Sequence, residues 1–139
     1  MRHGVFLRPD PLTCAAVTRI TTQLRAQYGL LSAGAFPPHV TLPGSLPIAP
    51  GEPALVRALD DALAPVAPVH SPRTTCSTRV DLRDEVEEYV RGLEIDVPAS
   101  FTADTVALYS FEHPSWTGAW WGDMRWEHRR SWRLRRSEP

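Results

Sequence analysis

Ten residues, Phe36-Pro37-Pro38-His39-Val40-Thr41-Leu42-Pro43-Gly44-Ser45, constrain this chain more than any other stretch. Two successive prolines stop any helix ahead of position 39, because each lacks an N–H and biases the preceding residue toward extended backbone. Val40, Thr41 and Leu42 then favour a strand. Alternation along a strand puts His39 and Thr41 on one face and Val40 and Leu42 on the other. An imidazole and a hydroxyl are therefore expected side by side, with apolar anchors beneath them. Such a pair suits phosphate chemistry: the hydroxyl donates to a phosphoryl oxygen, and the imidazole, titrating near neutrality, moves a proton. The simpler alternative is a histidine at the start of a strand whose ring is satisfied by a nearby carbonyl. The residues alone leave both readings open.

The bulk numbers narrow the class. With 139 residues, 42% of them hydrophobic and 22% charged, the chain reads as one globular domain able to bury a core without disulfides or metals. A net charge of −1 argues against a general electrostatic grip on nucleic acid. No apolar run is long enough to cross a bilayer and no basic-then-apolar leader is visible, so the cytoplasm is the expected location. Cys14 and Cys76 do not make a metal or redox spacing, and Cys14 is expected to act as a small hydrophobe. No Gly-rich phosphate loop, nucleophile elbow or zinc spacing occurs, so no cofactor and no metal are expected.

Taken in order, Gly4 to Arg8 reads as a strand. Asp10 caps a helix with Pro11 in its first turn, and Gly29 ends it. Leu12, Ala16, Ile20, Leu24 and Tyr28 recur at helical spacing. A second helix runs from about Glu52 to Leu63, with Leu55, Leu59, Ala62 and Leu63 on one face. The segment from about 65 to 80 has no apolar period and three prolines, and reads as irregular. Asp81 then caps a third helix carrying Leu82, Val86, Tyr89, Val90 and Leu93. Strands are expected at Glu94-Ile95-Asp96-Val97, at Phe101, at Thr105 to Phe111 and from Trp126 to Leu134. In the last, strict alternation puts Trp126, His128, Trp132 and Leu134 on one face and Glu127, Arg129 and Arg133 on the other. Trp126 and Trp132 are expected in the core, with stacking of nucleobases beside Arg129, Arg130 and Arg133 as the alternative. Trp120 and Trp121 are adjacent, so one of them could line a cleft.

Pro38-His39-Val40-Thr41-Leu42 resembles the His-x-Thr/Ser-apolar signature of the 2H phosphoesterase superfamily, which holds 2′-5′ RNA ligase-like proteins and cyclic phosphodiesterases. The resemblance covers residues 4–64 and 81–135. It implies an α+β, bilobal 2H phosphoesterase-like fold, with antiparallel sheets and flanking helices forming a single domain over 1–139. It also implies metal-independent phosphodiesterase activity on RNA ends or 2′,3′-cyclic nucleotides, with His39 as acid/base and Thr41 as phosphate donor. The family's second lobe supplies a second His-x-Thr/Ser strand, and here the chain departs from the pattern. His70-Ser71-Pro72 has proline at the hydroxyl position. His113-Pro114-Ser115-Trp116 fits the letters but follows a strand, in what resembles the hairpin that closes the second lobe. The expectation is a truncated second lobe, an internal segment lost near 65–80, and impaired activity. The alternative is a non-catalytic nucleotide- or phosphate-binding remnant.

Overall fold

The computed structural model describes residues 1–30, 36–44, 46–47, 51–72, 83–117 and 124–135. The described elements run β1 (Arg2–Arg8), α1 (Pro11–Tyr28), β2 (Val40–Thr41), α2 (Glu52–Leu63), β3 (Val69–Pro72), α3 (Arg83–Gly92), β4 (Ser100–Ala103), β5 (Thr105–Glu112) and β6 (Arg125–Arg133). The architecture is α+β with antiparallel sheets. One sheet has four strands in the order β2-β1-β5-β6, and a second pairs β3 with β4.

β1 is central because Val5, Phe6 and Leu7 are all buried, so both of its faces are covered. Seven register pairs, from Arg2↔Phe111 to Arg8↔Thr105, tie it to β5. On its other edge Phe6 pairs with Thr41 and Leu7 with Val40. This second ladder continues past β2, with His3 and Leu46 exchanging hydrogen bonds at 3.0 and 2.7 Å. Odd-numbered Val5 and Leu7 join Val106, Leu108, Phe101, Ala103 and Leu134 in one core, against which Val40 and Leu55, Val56, Leu59 and Leu63 of α2 pack. Even-numbered Phe6 joins Ala107, Tyr109 and Phe111 on the opposite face. Gly4 lies on this second face, and a Cβ there would come within 2.6 Å of the Phe6 ring and 2.9 Å of Phe111. The missing side chain is what lets Phe6 lie flat along its own strand.

The first helix starts and stops as its residues dictate. The Asp10 carboxylate accepts the Thr13 N–H at 2.9 Å, and Gly29 adopts φ 62°, donating to the Arg25 carbonyl at 3.0 Å. Its buried positions are Thr13, Ala16 and Leu24, whereas Leu12 is 78% exposed, so the apolar series does not begin at Leu12 as spacing suggests. The cap explains the offset: the other Asp10 oxygen accepts the Thr102 N–H at 3.1 Å, which turns the first helical turn toward β4 and brings Thr13 inward. The far end of α1 meets α3 through Tyr28 and Tyr89, whose rings cross edge-on at 5.4 Å. Cys14 behaves as a small hydrophobe: its thiol donates to the Pro9 carbonyl at 3.3 Å, and burial pushes its pKa up.

Four expectations need correction. The terminal hairpin β5–β6 does not close a second lobe; it adds to the sheet that carries β1 and β2. Part of the irregular segment is a strand, since Val69–Pro72 pairs with β4 through His70↔Thr102 and Ser71↔Phe101. Its pattern is faint because Val69 and His70 are both exposed. Glu94 to Val97 is not a strand. Glu94 has φ 49°, a left-handed turn just beyond α3, and the segment belongs to neither sheet.

The fourth concerns β6. Leu108 pairs with Arg130 but Tyr109 with His128, so Arg129 is an extra residue and the alternation slips there. Trp126 and His128 consequently stand over Tyr109, with ring centroids 5.0 and 5.4 Å away, while Trp132 and Leu134 pass to the opposite face. Trp126 is 40% exposed, not core. The slip also hands the arginines to α2. Arg129 binds Glu52 at 2.8 Å, and Asp60 accepts from both Arg130 at 2.7 Å and the Trp132 indole at 2.6 Å. Glu52 sits at the start of α2, where the helix dipole favours a carboxylate. Burial opposes its ionisation, but hydrogen bonds from Arg129 and His3 outweigh it and hold the carboxyl below its ordinary range. Ser45, Cys76, Asp81, Leu82, Trp120 and Trp121 lie outside the described residues. No described helix is long and apolar enough to cross a membrane.

The Asp10 cap is measurable. The Thr13 N–H holds its carboxyl below the usual range, burial opposes this, and the Thr102 N–H adds to the lowering. A carboxylate with a depressed folded pKa stabilises above its unfolded value, near 3.9, and loses that contribution as pH falls through the folded value. Asp10→Ala should cost about 1–2 kcal/mol at pH 7, with the gap to wild type narrowing below about pH 4. Asp10→Asn should keep most of the cap and flatten the acid limb. Thermal unfolding followed by circular dichroism at pH 7 and pH 3 checks both.

Candidate functional site

His39 lies one residue before β2, so the strand ladder does not orient it; three local contacts do. Its Nδ1 is 2.7 Å from the Pro37 carbonyl oxygen, and its ring meets Phe6 edge-on at 4.6 Å and Phe36 at 5.7 Å. A carbonyl only accepts, so Nδ1 must carry the proton. In the neutral ring this leaves Nε2 with a lone pair, and among the described residues Nε2 has no hydrogen-bond partner. The carbonyl contact expected of a structural histidine is therefore present, yet it occupies one nitrogen and sets up the other as an acceptor.

Thr41 is exposed and pairs directly with Phe6, which places it on the same face as His39. Its hydroxyl has no partner among the described residues. Gly44 helps to seat it, because a Cβ there would approach the Thr41 methyl at 3.0 Å. Beneath them Val40 packs into the core on the α2 side, as alternation requires, while Leu42 is 43% exposed and does not anchor the strand. The floor is aromatic: Phe6, Tyr109 and Phe111, with Trp126 at its far side. A pocket beside His39 is lined by this floor together with Arg8, Phe36, Pro37 and Pro38. Its enclosed volume is only ≈ 10 Å³, about one water, so a ligand would lie across the face and not within it.

The remaining histidines fall elsewhere. His113 follows β5 beyond Phe111, which pairs with Arg2, so the register puts it at the opposite end of β1 from Arg8 and His39. Its Nδ1 accepts the Ser115 N–H at 2.9 Å, and the Ser115 and Thr117 hydroxyls meet at 2.6 Å, so the His113-Pro114-Ser115 letters build a turn. His70 is exposed on β3, in the separate two-stranded sheet. His128 is the one that sequence reasoning missed: it shares the aromatic face with His39, and its Nε2 contacts the Ser131 hydroxyl at 2.8 Å. Only the slip at Arg129 brings it there, and no spacing in the sequence signals that slip. Among the described residues no group of three or more His, Cys, Asp or Glu side chains could hold a metal ion.

A roomier groove of ≈ 390 Å³ runs between the end of α2 and the end of β6. Two of its three charged groups are committed, since Asp60 holds Arg130 and Trp132 and Arg133 holds Asp104 at 2.8 Å, while the third, Arg135, is exposed and makes no ion pair among the described residues. Arg129, Arg130 and Arg133 each spend part of their donor capacity on carboxylates, and the Arg130 guanidinium lies 5.4 Å from the centre of the Trp132 ring.

The tautomer is directly testable. Imidazole ¹⁵N shifts of the neutral His39 ring should report Nδ1 protonated and Nε2 bare; the reverse assignment would remove Nε2 as an acceptor. No protein-family model matches the chain, and no curated protein matches it at significant similarity.

Proposed function

We propose that this chain is a metal-independent phosphodiesterase of the 2H type, acting on RNA ends or nucleoside 2′,3′-cyclic phosphates. His39 is its proton-transfer group and Thr41 its phosphate donor. One observation carries the reading: His39 Nε2 has no partner among the described residues and lies on the face that carries Thr41, with Nδ1 held by Pro37. In hydrolysis of a cyclic phosphate, water attacks phosphorus, one P–O ester bond breaks, and the water's proton passes to Nε2. The leaving ribose oxygen takes a proton in turn. In-line displacement puts attacker and leaving group on opposite sides of phosphorus, so one imidazole serves only one of them and solvent serves the other. Loss of an acid/base partner costs on the order of 10²–10⁴ in rate, and impaired turnover follows.

A second reading has its own observation. His113 and His128 each spend a ring nitrogen within their own loop or strand, and neither lies beside Arg8 and His39. A chain in that condition could bind a nucleotide or phosphate without turning it over. The two readings separate on one assay. With adenosine 2′,3′-cyclic phosphate as substrate, His39→Ala should lower turnover by at least about 10², and Thr41→Ala by about tenfold. Unchanged turnover in His39→Ala would overturn the enzyme reading. Saturable binding that is weakened by Thr41→Ala, with no turnover in wild type, would establish the binding module instead.

A further inference from the structure

We infer that Arg8 is the fixed positive charge of this site and binds the phosphate oxygens alongside Thr41 and His39. The inference rests on the reading above for its substrate, but the anion site it describes can be measured without turnover. Arg8 is the last residue of β1. Val5 and Leu7 point into the core on the α2 side, so Phe6 and Arg8 point to the face that carries Thr41. Leu7 pairs with Val40, which brings the next position of β1 alongside His39, and both side chains line the same pocket.

The charge environment of Arg8 differs from that of the β6 arginines. Arg129, Arg130 and Arg133 each hold a carboxylate between 2.7 and 2.9 Å. Arg8 is exposed and forms no ion pair among the described residues. The acid nearest in sequence, Asp10, has its two oxygens engaged by the Thr13 and Thr102 N–H groups. A guanidinium without an ion pair, on the lining that also holds the His39 ring, gains from an anion placed between the two. The guanidinium stays charged at any working pH, so it moves no proton. Its parallel N–H groups match two oxygens of one phosphate, and in the reaction they would meet the extra charge that builds on those oxygens as water attacks. The ligand class is a phosphate oxyanion, mono- or diester, held at the β1–β2 end of the aromatic face.

The test is a titration of the full chain with inorganic phosphate, followed by calorimetry and by the His39 ring signals. Arg133→Gln serves as the control for loss of one positive charge elsewhere, and thermal unfolding confirms that each variant folds. Wild type should bind saturably, with His39 shifting. Arg8→Gln should weaken binding by about tenfold or more, Arg8→Lys should recover part of the loss because it keeps the charge but not the paired N–H groups, and Arg133→Gln should change little. Absent binding in wild type, wild-type affinity in Arg8→Gln, or an equal loss in Arg133→Gln would each overturn the assignment. Arg8-dependent binding in a chain without hydrolysis would uphold this inference and sink the enzyme reading. Hydrolysis that needs His39 yet keeps its kcat and KM in Arg8→Gln would do the opposite.

Discussion

The pairing of β1 on both of its edges is the constraint from which the rest follows. With β5 on one side and Val40 to Pro43 and Leu46 on the other, β1 cannot rotate or slip by one residue without exchanging its faces. Val5 and Leu7 would then leave the core that α2 covers, and Phe6 would leave the floor beneath His39. The same register sets Thr41 opposite Phe6 and brings Arg8 to the edge of the His39 pocket. One strand therefore supplies the hydrophobic anchor, the aromatic support and the charge.

Much of this was legible in the residues because it is local. Asp10, Pro11 and Gly29 announce the ends of α1, and α2 runs from Glu52 to Leu63 as its apolar spacing requires. Thr41 takes its face from its pairing with Phe6, and His39, one residue outside the strand, reaches the same face through its contacts with Phe6, Phe36 and the Pro37 carbonyl. What stayed hidden depends on partners distant in sequence. The slip at Arg129 moves Trp126 and His128 to one face and Trp132 and Leu134 to the other, and it arises where β6 meets β5. β3 is invisible because its exposed residues carry no alternation, and it forms only by pairing with β4. Glu94 to Val97 has strand-like letters but joins neither sheet, and Glu94 turns left-handed at its start. Leu12 shows a helix whose rotation is set by a hydrogen bond from the Thr102 N–H to the Asp10 carboxylate, a contact spanning 92 positions of chain.

Electrostatics divides the molecule between its two faces. On the α2 side, acids and bases neutralise one another: Glu52 with His3 and Arg129, and Asp60 with Arg130 and the Trp132 indole. These contacts hold α2 against β6, and exposed pairs of this kind contribute little individually. On the other face, His39 Nε2 and the Thr41 hydroxyl stand over an aromatic floor without a partner among the described residues, while His39 Nδ1 is held by Pro37 and His128 Nε2 by Ser131. Net charge near zero thus conceals one surface of largely paired charges and a second with polar groups still open. The second surface is where a phosphate ligand has reason to sit, and the proposed chemistry draws on its residues alone.

The most direct measurement is a crystal structure of the full chain with a nucleoside 2′-monophosphate, the product-like ligand. The account predicts the phosphate over the β1–β2 end of the sheet, with oxygens about 2.7–3.2 Å from His39 Nε2 and Thr41 Oγ1 and the His39 Nδ1 still on the Pro37 carbonyl. A phosphate seated in the groove between α2 and β6, or a His39 ring turned off Pro37 to meet it, would contradict the account.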